Sequence, residues 1–173
     1  MSEIFVPDVN FILRENGEFV VKSTDDLFYG KKVVIFGLPG AFTPTCSSFQ
    51  LPGYEEYFDK FKIYGVEEIY CISVNDAFVM NAWAKDQQIK KVKMIADGNG
   101  DFTDELGMLV QKFNLGFAYR SWRYSALVDN KKIFKLFEED GKRDDADTDP
   151  YAVSDPHTML HYLSELTGVP VPQ

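Results

Sequence analysis

Cys46 and Cys71 are the only cysteines in the chain, and their sulfurs are its strongest candidate nucleophiles. A sulfur attacks as the thiolate, so reaction needs stabilised negative charge, hydrogen bonds aimed at the attacked atom, and a rigid pocket for a small substrate. The stretch "GLPGAFTPTCSS" around Cys46 supplies these parts. Thr43 and Thr45 bring hydroxyls within a few residues, and Pro39 and Pro44 limit how the loop can collapse. The bland alternative is a small buried hydrophobe. Cys71 lies inside the apolar run "EIYCISV", where burial raises a thiol's pKa and slows attack. It reads as core. It becomes a second thiol for Cys46 only if the turn holding Cys46 unfolds locally, because a disulfide needs α-carbons within about 7 Å. Arg120 and Arg123 flank Trp122 ahead of a strand. As rim residues they would form surface salt bridges. Reaching into a cleft at the strand ends, Arg123, the nearer to the strand, would stabilise a thiolate and a departing oxygen.

Other chemistries find less support. His157 and His161 stand four apart on a C-terminal helix, but two histidines without a third ligand do not make a zinc site. "GLPG" and "GNG" lack the spacing of a phosphate-binding loop. The acidic run from Glu138 to Asp149 reads as a solvated loop and lacks a closed calcium-loop pattern. The aromatics of "KFNLGFAYRSWRYS" suit either core or a dimer interface. A formal net charge of -9 argues against nucleic acid as a partner. The chain has no run of about 18 apolar residues and no basic leader, so the expectation is a cytoplasmic protein with no membrane contact. With 173 residues, 45% of them apolar, it should form one domain over 1–173. Two cysteines without a CxxC pair fit neither a secreted disulfide scaffold nor a thioredoxin-type dithiol.

The elements that must position Cys46 follow from periodicity. "FILRENGEFVVKS" predicts a hairpin turning at Asn16-Gly17. "KKVVIFGLPG" predicts a buried strand over 33–36, ended by Gly37 and Pro39-Gly40. Leu51, Tyr54, Tyr57, Phe58 and Phe61 then recur at three and four, the stripe of a helix. Pro52 either sits in its first turn or kinks a helix that starts near Thr45 or Cys46. In both cases the sulfur meets unpaired N–H groups and the positive helix end. "GVEEIYCISVND" predicts a strand whose Ile69, Cys71 and Ser73 form the more crowded face, opposite Tyr70, Ile72 and Val74. Asn75 or Asp76 caps a helix that buries Phe78, Met80, Ala82 and Trp83. A third strand, "KVKMIAD", leads through Gly98 and Gly100 into a short helix capped by Thr103. A second hairpin turns at Asp129-Asn130, and a final helix from Ser154 or Asp155 buries Met159, Leu160, Leu163 and Leu166 before Gly168, Pro170 and Pro172 stop it. This order predicts an α/β fold with a mixed central sheet flanked by helices.

"PGAFTPTCS" resembles the active-site motif of peroxiredoxins. "FGLPGAFTPTCSSFQLPGYEEYF", "ISVNDAFVMNAW", "DGNGDFT" and "RSWRYSALV" extend the resemblance over about residues 5–166, to the type II or peroxiredoxin-5-like branch and to the peroxiredoxin part of bacterial peroxiredoxin–glutaredoxin fusions. The resemblance implies a thioredoxin-like fold, a homodimer, and an antioxidant peroxidase acting on hydrogen peroxide and small alkyl hydroperoxides. It implies Cys46 as the peroxidatic cysteine, Thr43 as hydrogen-bond partner of sulfur and peroxide, Pro39 as shield and Arg123 as the residue that orients substrate and stabilises charge. No bound cofactor is implied, only an external thiol: glutathione with glutaredoxin, or thioredoxin. Animal-type members resolve with a late cysteine that this chain lacks. Plant-like members carry one at the position of Cys71, which makes it a candidate resolving thiol. A peroxide-sensing or holdase module that turns over little is the alternative use of the same sulfur.

Overall fold

In the computed structural model, which describes residues 3–173, the chain opens with the expected hairpin, β1 (Asn10–Glu15) and β2 (Glu18–Ser23). Asn16 and Gly17 both take positive φ, the two-residue turn whose twist matches its strands. Helix α1 (Thr24–Phe28) follows, capped reciprocally by Ser23 and Asp26. Next come β3 (Lys32–Gly37), a π-helical turn (Cys46–Gln50), α2 (Leu51–Glu56), α3 (Phe58–Lys62), β4 (Glu68–Ser73), α4 (Ala77–Asp86) and β5 (Lys93–Ala96). The second half contains α5 (Asp101–Glu105), β6 (Leu109–Gln111), β7 (Tyr119–Ser121), β8 (Tyr124–Asp129), β9 (Lys132–Glu138) and α6 (Pro156–Thr167). Residues 1 and 2, part of the single-domain reading, lie outside the described residues.

Five strands form the central sheet in the order β5-β4-β3-β8-β9. β3, β4 and β5 are parallel, and β8 and β9 are antiparallel to their neighbours, so the sheet is mixed as predicted. This is the thioredoxin-like α/β architecture. Register decides which side chains share a face. Phe36 stands opposite Cys71 on one side and Ser125 on the other, so all three point the same way. That face is covered by Tyr54, whose ring stacks 4.3 Å from Phe36, and by Phe61, 5.9 Å from Tyr54. The other face packs Tyr70 against Phe28 at 5.5 Å, and Phe28 against Phe102 at 6.1 Å. Each of these buried aromatic side chains contributes about 1.5–3 kcal/mol.

Several expectations change. Both faces of β4 are buried from Ile69 through Ser73; Ile69, Cys71 and Ser73 are fully hidden, and of the opposite set only Val74, just past the strand, is half-buried. In α4, Ala77, Met80 and Trp83 point inward, whereas Phe78 and Ala82 face out. Phe78 packs edge-on to Phe19 of the hairpin instead. Asp76 is its cap. Thr103 caps nothing: it is buried within α5, whose free N–H groups at Phe102 and Thr103 are taken by the Asp97 carboxylate. The second hairpin turns one residue later, at Asn130-Lys131, both at positive φ. Asp155 caps α6, and Leu166 is exposed. The helix behind Cys46 breaks at Tyr57 into α2 and α3, leaving Tyr57 half-buried. The acidic run is not all solvated. Glu139 is buried, and its carboxylate accepts from the Ala152, Val153 and Ser154 N–H groups and the Ser154 hydroxyl at 2.6–2.9 Å.

Candidate active site

The loop carrying Cys46 is held by contacts that need its small residues. At Gly37 a Cβ would fall 2.1 Å from the Tyr124 ring, and at Gly40 one would fall 2.3 Å from Nη1 of Arg120. At Gly37 the ring thus packs where only glycine fits, and at Gly40 a larger residue would displace the Arg120 tip. Arg120 donates to the Pro39 carbonyl at 3.1 Å. Asn75 is not a helix cap; its carbonyl oxygen accepts from the Ala41 N–H at 3.0 Å and the Ser73 hydroxyl at 2.6 Å, tying the loop to the end of β4. Helical backbone begins at Pro44. From Cys46 it widens into the π turn, where the Leu51 N–H bonds to the Cys46 carbonyl five residues back. Pro52, which has no N–H to give, follows at once. The wide turn thus takes up the proline that the sequence reading expected to sit in a first turn or to kink the helix. Trp83 fixes the next residue, donating to the Ser47 hydroxyl at 3.0 Å.

Cys46 is 0% exposed, and its sulfur meets the Arg123 guanidinium, whose Nη1 lies 3.3 Å away. Arg123 comes from the residue ahead of β8, the strand next to β3, so the sheet itself brings it to the end where Cys46 sits. The guanidinium is only 1% exposed and is clamped from two further directions. Nη1 also donates to Gln50 Oε1 at 2.7 Å, and Nη2 donates to both Asp149 carboxylate oxygens at 2.7 and 2.8 Å. Burial opposes its charge, but the Cys46 sulfur and Asp149 outweigh burial and raise its pKa above the ordinary arginine value. Nε is buried with no hydrogen-bond partner among the described residues. One donor thus remains for an incoming oxygen.

Glu139 sets this clamp. It lies beside Arg123, to whose carbonyl its N–H donates at 3.2 Å, and it gathers residues 152–154 with its carboxylate. The Ser154 carbonyl in turn accepts from Tyr54 at 2.8 Å and from Gln50 Nε2 at 3.4 Å. Gln50, Glu139 and Asp149 escaped the sequence reading. Gln50 alone left a trace, a polar residue one turn beyond Cys46 where the stripe turns inward.

The other sequence candidates are placed as follows. Pro39 is buried behind the loop. Thr43 donates its hydroxyl to the Gly40 carbonyl at 2.7 Å, so toward a ligand its oxygen is an acceptor. Arg120 binds the loop backbone. Cys71 lies in β4, between β3 and β5, and is 0% exposed. Burial, then the nearby Cys46 sulfur, pushes its thiol pKa well up, with Arg123 opposing. Both cysteines are free. His157 packs on Tyr57 and His161 faces Glu165; no group of three or more His, Cys, Asp or Glu suited to a metal occurs among the described residues. None of the described helices is long and apolar enough to cross a membrane. A cavity of about 330 Å³ adjoins the loop, lined by Pro39, Thr43 and Pro44 of the loop together with Lys112, Phe117 and Asp149.

Residues 5–152 match the family model described as Redoxin. A peroxiredoxin of Rhizobium etli is 57% identical over 167 residues, covering 91% of this chain and 93% of that protein. The hybrid peroxiredoxin hyPrx5 of Haemophilus influenzae is 51% identical over 159 residues, 92% of this chain and 64% of its own length. Among solved structures, the 1-Cys peroxiredoxin of Plasmodium falciparum superposes with a TM-score of 0.90 at 38% identity, over 95% of this chain and 99% of that one. Reduced Prx3 of Vibrio vulnificus in complex with H2O2 gives 0.84 at 38%, over 92% and 96%.

Proposed function

The chain belongs to the peroxiredoxins and is a thiol-dependent peroxidase working through a cysteine, and we propose that this cysteine is Cys46. The observation that carries the assignment is Arg123: a buried cation 3.3 Å from the sulfur, locked by Gln50 and Asp149, with Nε unpaired among the described residues. The Cys46 thiolate attacks the nearer peroxide oxygen, forming an S–O bond as the O–O bond breaks. The departing oxygen, helped by Arg123, leaves as water or an alcohol after taking a proton. Thr43 accepts the hydroperoxide O–H and Pro39 backs the pocket. Preorganised donors of this kind lower a barrier because they need no rearrangement when charge develops.

Cys46 sulfenic acid is resolved from outside. The thiolate of glutathione attacks its sulfur, an S–S bond forms, the S–O bond breaks, and the oxygen departs as water. A second glutathione, or glutaredoxin, releases Cys46. The burial of Cys71 in a central strand favours this route, since burial keeps its thiol protonated and shielded from the Cys46 sulfur unless the turn holding Cys46 unfolds locally. The similarity to a hybrid peroxiredoxin and to a 1-Cys peroxiredoxin supports a type II, peroxiredoxin-5-like placement with hydrogen peroxide and small alkyl hydroperoxides as substrates. A cytoplasmic homodimer belongs to the same reading; exposed Phe113, Leu115 and Tyr119 beside the cavity are the surface it would bury. The test is peroxide consumption with glutathione and glutaredoxin, joined to intact mass after stoichiometric peroxide. Turnover and a Cys46–glutathione adduct are expected, lost in Cys46→Ser and kept in Cys71→Ala. A Cys46–Cys71 disulfide in the wild type would replace external with internal resolution, and oxidation without turnover would make the protein a peroxide sensor.

A further inference from the structure

We propose that Lys112 binds the carboxylate of the small ligand that reaches Cys46, so that the site prefers acid-bearing thiols or hydroperoxides to uncharged ones of similar size. This rests on the reading of Cys46 as the reacting sulfur. Lys112 follows β6 and lines the cavity beside the Cys46 loop together with Pro39 and Thr43. The residue is only 3% exposed, and its ammonium has no hydrogen-bond or ion-pair partner among the described residues; Nζ lies 5.6 Å from the Trp122 ring and, unlike Arg123 Nε, is not fully closed off, so it keeps an opening to solvent. An ammonium on a mostly buried stem, open on one side and unpaired, gains from an anion that reaches that opening.

The neighbouring charges are already engaged. Arg123 gives its terminal donors to Cys46, Gln50 and Asp149, and Arg120 gives Nε to the Phe117 carbonyl and Nη1 to the Pro39 carbonyl. Asp149 holds Arg123 with both oxygens, and Asp147 is paired with Arg143. Among the described residues Lys112 is the one cation lining this cavity, and no side chain there pairs with its charge. Burial lowers its pKa, and Asp149 opposes that, as an anion in the cavity would further. Hydrogen peroxide is neutral and gains little from such a charge. A carboxylate gains a charge-assisted hydrogen bond in a site partly shielded from water. The carboxylate has two sources: the resolving thiol, of which glutathione carries two, and an acid-bearing hydroperoxide.

Stopped-flow kinetics on wild type, Lys112→Gln and Lys112→Arg separate them. Preformed Cys46 sulfenic acid is reduced with glutathione or its diethyl ester, and the reduced protein is oxidised with linoleic acid hydroperoxide or its methyl ester. In Lys112→Gln the acid-to-ester rate ratio should fall about tenfold in at least one pair, as loss of a charge-assisted hydrogen bond implies, and Lys112→Arg should restore most of it. A fall confined to the glutathione pair assigns the site to the reductant; one confined to the hydroperoxide pair assigns it to the oxidant. An unchanged ratio in both pairs overturns the proposal, even if all rates drop together. Hydrogen peroxide is the control for the underlying reading: if it leaves wild-type Cys46 unoxidised, the assignment of Cys46 fails, whereas normal oxidation with unchanged ratios removes only Lys112.

Discussion

Cys46 and Cys71 are equally hidden from solvent and lie on the same side of the sheet, yet their surroundings oppose each other. Cys46 occupies a loop-to-helix junction beside a cavity, with a clamped guanidinium on its sulfur. Cys71 sits mid-strand between two hydrogen-bonded neighbours, where burial holds the proton on its thiol. Burial alone therefore does not separate a reacting cysteine from a packing one. The difference lies in whether the removed water is replaced by fixed donors and charge, as at Cys46, or by apolar side chains, as at Cys71.

Removing the guanidinium should collapse that contrast. Arg123→Met is expected to slow oxidation of Cys46 by hydrogen peroxide about 10²–10³-fold, the scale of a lost preorganised donor. Arg123→Lys should recover little of it, because an ammonium cannot reach Cys46, Gln50 and Asp149 together. Stopped-flow tryptophan fluorescence measures both, and rates within a few-fold of wild type would show that Arg123 only fills space.

A smaller effect is expected one residue further out. Asp149→Asn keeps the shape but weakens the charge-assisted clamp on Arg123, and the same rate should fall about tenfold or less, since Asp149 is 46% exposed. The readout of positioning is recovery in Asp149→Glu at unchanged melting temperature; a rate that tracks the melting temperature would make Asp149 a stability residue.

The smallest effect sharpens the Cys71 side. Its folded pKa lies above its unfolded value, so the stability it contributes is complete below the unfolded pKa of about 8.5 and is lost as pH rises toward the folded value. From pH 8.5 to 9.5 this group should cost about 1 kcal/mol of unfolding free energy, and Cys71→Ala should flatten the slope by that amount in urea titrations. An unaltered slope would place the alkaline loss on the buried Tyr54, Tyr70 and Tyr124 hydroxyls, whose pKa values burial also raises.

Much of the frame was legible because it rests on local rules. Continuous apolar runs located β3 and β4, Asn16-Gly17 marked the first hairpin, and Gly168 ended α6. Errors arose where tertiary contacts override local preference. Phe78 left its helix's buried face because the hairpin offered Phe19, and Thr103 lost its cap role to Asp97. In the site, Cys46, Thr43 and Pro39 were readable within eight residues of one another. The Arg123 clamp was not, since its partners stand 73 and 26 residues away in the chain.

The sequence by itself determined the order of the five central strands and the main helices, though not α1 or the β6–β7 pair, together with the placement of one cysteine at a helix start and the other mid-strand, and the resemblance that names the chemistry. These are encoded by periodicity, turn residues and neighbouring motifs. Only the tertiary structure decided which charges meet the sulfur. β8 had to lie beside β3, and Glu139 had to gather residues 152–154, before Arg123 could face Cys46 with Gln50 and Asp149 behind it and Lys112 in the lining of the cavity beside the loop. Electrostatics acts through space, and distances in space between residues far apart in the chain are set by packing.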